Sequence, residues 1–175
     1  MDGPVRRCAV LALLIAIGAA SSASARVVPA PTAAPGCDPF GGTHCLFPWP
    51  NDYFRKDGHL ALTASMMPHN AQGVPIGASD YNRVDGFSPG ATIVLKVPGL
   101  DTPEAFAKTG AVPITDLART YDSKAPIVVI NARTGRRQLI WAELDSNAGS
   151  PAATALMIHP AKNFSEGQRY IVALR

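Results

Sequence analysis

Apolar residues are spaced differently in successive parts of the chain. From Cys8 to Ala20 they form one unbroken run. From 26 to 84 they are scattered among prolines, glycines and polar residues. Past Asp85 they gather into short runs with the two-residue alternation of strands. "ATIVLKV" (91–97) is β-branched and bounded by Gly90 and Pro98, which predicts a strand. "APIVVINA" (125–132) and "RQLIWAELD" (137–145) predict two more, joined as a hairpin by "RTGR", whose Gly135 can take the positive φ of a hairpin bulge. In the second, Leu139, Trp141 and Glu143 should share one face and Ile140, Ala142 and Leu144 the other. "ATALMIHP" (153–160) and the stretch from Tyr170 complete the set. One helix is expected: "DTPEAFAKTG" places Thr102 at an N-cap, Pro103 at the first helical position, Glu104 in the first turn and Gly110 after the end.

The unbroken run reads as the centre of a secretory leader. Arg6 and Arg7 precede it and Ala23-Ser24-Ala25 follows, so residues 1–25 are expected to be cleaved after Ala25. The run is short of the roughly 20 apolar residues that cross a bilayer. Cys8 opens the run instead of ending it and so is not a lipid attachment site. Residues 26–36, "RVVPAPTAAPG", read as a Pro/Ala linker. Residues 37–84 read as a loop-rich region, with a turn at Asp57-Gly58 and a short strand carrying Leu60 and Leu62. The resulting expectation is a protein that is secreted, periplasmic or at the cell surface.

Composition fits one domain with appendages: of 175 residues, 47% are hydrophobic and 17% charged. Sixteen prolines and fifteen glycines argue against long helices. Of 16 basic and 13 acidic residues the leader holds two and one, leaving 14 and 12, a balance of +2 that points to no nucleic-acid partner. Arg133, Arg136 and Arg137 read as a solvated hairpin tip. Export leaves Cys37 and Cys45 as an even pair in an oxidising compartment, where a disulfide is expected. A metal site from Cys37, His44 and Cys45 is the weaker reading, because it lacks a fourth ligand at recognisable spacing. Trp49, Tyr53 and Phe54, in "LFPWPNDYF", either pack over the disulfide or offer a glycan- or lipid-contacting platform.

The candidate chemistry centres on Gly86-Phe87-Ser88-Pro89-Gly90, a match to G-x-S-x-G. A nucleophile elbow needs a strand entering, a helix leaving, and a backbone N–H on the next residue for the oxyanion. Here a strand follows, and Pro89 has no N–H. Ser88 is therefore read as part of a turn, with Phe87 as its buried plug. The histidines at 44, 59, 69 and 159 stand beside no triad signature, and His159 reads as a surface or rim residue. Asp80, Asp85 and Asp101 lack calcium-loop spacing. No catalytic residue, metal ligand or cofactor is assigned. "NFS" at 163–165 is a glycosylation sequon, with meaning only in a host that uses it.

The closing "NFSEGQRYIVALR" carries topology. A Gly167 turn feeding a strand that opens with Tyr170, its ring inward and its hydroxyl bonded back to the corner, is how sandwich domains enter a late strand. The expected fold is mainly β: an immunoglobulin-like antiparallel sandwich over 85–175 with one short helix, incomplete at its C-terminus. "PWPNDYF", "DGFSPG", "APIVVINARTGRRQLIWAELD" and "PAKNFSEGQRYIVALR" together resemble the N-terminal region of exported bacterial lipases, the virulence-factor lipase N-terminal family and its relatives. The resemblance runs from about Cys37 onward and carries no catalytic residue. It implies a β-rich accessory domain whose α/β-hydrolase partner lies downstream. The expected partner is that domain or a strand-donating chain. A free-standing binding or adhesion module is the alternative, and a small serine esterase using Ser88 comes third.

Overall fold

The computed structural model describes residues 46–175. The leader, the linker and the expected Cys37–Cys45 disulfide lie outside the described residues.

The fold is antiparallel β with one α-helix among the described residues. A two-residue hairpin comes first, β1 (Arg55–Lys56) and β2 (His59–Leu60), reversed at Asp57 (φ 52°) and Gly58 (φ 85°). Both turn residues adopt the left-handed conformation that matches strand twist in a tight hairpin. After a loop held by Asn82, whose side chain bonds both the N–H and the C=O of Leu62, comes β3 (Ile93–Leu95). Next in the chain are α1 (Pro103–Thr109), β4 (Ile127–Asn131), β5 (Ile140–Leu144), β6 (Leu156–Pro160) and β7 (Tyr170–Leu174). One sheet has the order β3-β6-β5 and another pairs β4 with β7.

The α1 ends match the sequence reading. Thr102 Oγ1 accepts the Ala105 N–H at 3.2 Å, Pro103 begins the helix, and Gly110 closes it at φ 67°. The alternation in β5 also holds, with Ile140 and Ala142 buried and Trp141 and Glu143 facing outward.

The expected β4–β5 hairpin forms only at its base. Asn131 N–H donates to Arg136 O and Gln138 N–H to Val129 O, with Gly135 at φ 67° in the turn; beyond these bonds the strands part into different sheets. The β5 edge that β4 would have used is already engaged. Ile140 N–H goes to Thr120 Oγ1, Thr120 Oγ1 donates to Ile140 O, and Ala142 N–H donates to Val112 O. Thr120, 1% exposed, thus stands in for a strand at that edge.

Both sheets contribute to one core: Ile93, Ile140, Ala142, Leu156 and Ile158 from the first, Ile127 and Val129 from the second, with Val112 between elements. A smaller cluster of Phe54, Leu60, Leu62, Met66 and Met67 lies under Trp49 and Phe87. Reciprocal backbone bonds between Trp49 and Val94 tie this cluster to β3.

Candidate functional site

The G-x-S-x-G turn can be judged directly. Ala91 N–H bonds to Ser88 O at 2.9 Å, closing a turn over Pro89-Gly90, and Ser88 Oγ accepts the Gly90 N–H at 3.3 Å. Pro89 O accepts the Phe164 N–H, fastening the turn to the 163–164 corner. A three-residue 3-10 turn (Tyr81–Arg83) precedes the motif and β3 comes after it. The serine is thus held by its own turn, without a strand entering or a helix leaving. Phe87 meets Trp49 edge-on at 4.9 Å and plugs the smaller cluster.

Of the three aromatic residues considered as a ligand platform, Phe54 is fully buried, Trp49 is half-buried against Phe54 and Phe87, and Tyr53 is exposed. They sit together in space, Tyr53 meeting Phe54 edge-on at 5.5 Å. Tyr53 is the most exposed of the three, with 48% of its surface open. Asp80, Asp85 and Asp101 are exposed, and among the described residues no group of three His, Cys, Asp or Glu is arranged to hold a metal.

His159, expected at the surface or rim, is half-buried on the outer face of its sheet. It lies on β6, the middle strand, directly opposite Trp141 in the pairing register and beside Thr92 at the β3 entrance. Its ring stacks on Trp141 at 3.9 Å and 12°. Nδ1 bonds Thr92 Oγ1 and Nε2 bonds Glu143 Oε1, both at 3.1 Å. A hydroxyl, an imidazole and a carboxylate in line can pass a proton. Here, however, both ring nitrogens and one ring face are occupied, so the side chain ties three strands together on the outer face. Sequence reasoning missed the row because its members are 67 and 16 residues apart and only the register aligns them.

The feature that most invites a partner is β7. Tyr170 enters it as expected: its Oη accepts the Ser165 N–H at 2.9 Å, and its ring packs on Phe164 and the main core. Burial raises the hydroxyl pKa, but hydrogen bonds from Ser165 and Asn131 and the nearby Lys162 charge outweigh it, so the net shift is downward. Beyond Tyr170 the strand pairs, among the described residues, with β4 alone. Ile171, Val172 and Leu174 are 53%, 38% and 41% exposed. Arg169 O and Arg175 N–H bond toward β4. Antiparallel alternation therefore directs the backbone groups of Tyr170, Val172 and Leu174 to the unpaired edge. Leu174 also lines an apolar groove of about 270 Å³ with Val97, Leu100, Phe106, Ile127 and Leu156, between α1 and the strand ends.

No protein-family model, curated protein or solved structure matches the chain. Among the described residues no helix is long and apolar enough to cross a membrane.

Proposed function

We propose that the chain is a non-catalytic accessory module of a secreted lipase- or esterase-like protein, built as an immunoglobulin-like sandwich, and that β7 with its apolar groove receives the hydrolase part. The observation that carries this reading is the open strand. Three large exposed apolar side chains and a row of backbone groups that pair with nothing among the described residues form an edge that proteins ordinarily cover, charge or bend away. An extended segment laid along it would gain main-chain hydrogen bonds, and one apolar side chain would enter the groove. The tyrosine corner at Tyr170 supports the sandwich, because it is the device by which such domains fix the entry of a late strand. The self-contained Ser88 turn fits a module that does no chemistry itself. The leader of residues 1–25 would deliver it to an oxidising compartment, where Cys37 and Cys45 would pair.

The test is the coding sequence past codon 175. The reading expects an open frame carrying a second G-x-S-x-G between a strand and a helix, with a residue other than proline after its serine. A stop codon directly after Arg175, in a gene whose product is stable alone, overturns it.

A further inference from the structure

Three segments distant in sequence bring cations to the end of the molecule where β7 begins, away from the groove at its other end. Arg55 and Lys56, which form β1, meet Arg169 from the turn before β7. With Asp52, Asp57 and Gly58 they line an open cleft of about 270 Å³ that has no apolar side chain in its wall. Gln168 Oε1 accepts from Arg133 Nε at 2.8 Å, which draws the β4–β5 turn to the same end.

Asp52 aims this cluster. Its Oδ2 lies 2.9 Å from Arg169 Nη2 and its Oδ1 3.7 Å from Arg55 Nη1, so one carboxylate holds both guanidinium groups. Arg55 is fixed further by donating to Asp85 O at 2.8 Å. A guanidinium has five N–H donors, so both arginines retain donors that Asp52 does not use. Lys56 forms no ion pair among the described residues. Three cations face two carboxylates, and Asp52 is already shared between two of them.

We propose that this cleft binds a phosphate group, as a monoester or diester. Paired, pre-positioned guanidinium forks match the oxygens of a tetrahedral phosphate, and a lysine adds a mobile third charge. The polar wall excludes recognition through an acyl chain or ring, and the surplus of positive charge disfavours a cation. The open shape suits the phosphate of a lipid headgroup or of a small soluble ester.

The experiment uses the purified chain and two probes. Glycerol 1-phosphate is titrated while the amide resonances of 52–58 and 169 are followed, and vesicles of phosphatidylglycerol or phosphatidylcholine are tested by co-sedimentation. Lys56→Gln, whose side chain has no ion pair to lose, and the double variant Lys56→Gln/Arg169→Gln are compared with Arg136→Gln, an exposed arginine outside the cleft wall. The double variant should weaken binding by about tenfold or more, and Lys56→Gln by less, because charge-assisted hydrogen bonds are lost. Arg136→Gln should leave it within about twofold. This pattern with phosphatidylglycerol vesicles alone assigns the cleft to a headgroup; with glycerol 1-phosphate alone, to a soluble ester; with both, to the phosphate they share. Binding of neither probe overturns the proposal. So does an Arg136→Gln loss equal to that of the double variant, which would mark diffuse attraction to basic surface.

Discussion

Two buried or half-buried hydroxyls hold backbone that the strands leave unpaired, and they differ in how visible they are in the sequence. Tyr170 is legible because its position after the Gly167 turn and at the head of an apolar run defines a corner. Its lowered hydroxyl pKa gives that corner a titration signature. A phenol whose folded pKa is below its unfolded value loses its proton earlier when folded. The unfolded state then holds more protons between the depressed value and the ordinary one near 10, so stability rises with pH in that window. The Tyr170 contribution is fully present above the unfolded value and is lost as pH falls through the folded one. Ultraviolet difference absorbance should show a phenolate phase below the ordinary phenol value, and Tyr170→Phe should remove that phase; an unchanged curve would refute the assignment. Thr120 carries no comparable signal, since only the fold brings it to Ile140. Thr120→Val should cost roughly 1–3 kcal/mol, because it strands the Ile140 N–H and C=O in the interior. Thr120→Ser, which keeps the oxygen, should cost less; equal urea midpoints for the two variants would count against this role.

At the scale of elements, local chemistry is readable in the sequence and pairing is not. Helix α1 announces both of its ends, because a cap, a first-turn proline and a left-handed glycine each act on their own few residues. Thr102→Ala should lower stability by about 0.5–2 kcal/mol in chemical denaturation, and Thr102→Ser should restore most of it. A Thr102→Ala variant as stable as the parent would show the cap to be idle. The strands at 91–97, 125–132, 137–145 and 153–160 are all legible in the sequence, each three or four residues longer there than the strand that forms. The hairpin between the second and third is shorter than its sequence suggests. Its turn residues are right, but the turn decides only the first pairs, and Val112 and Thr120 limit the rest by engaging the β5 edge. Both residues lie upstream of β4, outside the turn that sets the hairpin. The His159 row and the Arg55–Arg169 cleft are hidden for the same reason, since both depend on register and contact between distant segments.

For the whole molecule, the outstanding feature is that β7, exposed and apolar, is paired on one side only among the described residues. Self-pairing is one way to cover it, and its electrostatics can be worked out. An antiparallel contact between two β7 strands centred on Val172 would set Arg169 against Arg175 of the other copy at both ends, placing like charges opposite one another. The isolated chain should therefore associate weakly, and more strongly as salt screens the arginines. Two substitutions separate edge from fold. Val172→Pro removes a backbone donor directed away from β4, so the β4–β7 ladder should survive while edge pairing is blocked. Ile171→Pro removes a donor directed toward β4 and should unfold the strand. Sedimentation of the purified chain should show salt-promoted association that Val172→Pro abolishes with its circular dichroism intact. If Val172→Pro associates as the parent does, the open edge of β7 is not the contact, and the proposed seat of the hydrolase part loses its main support.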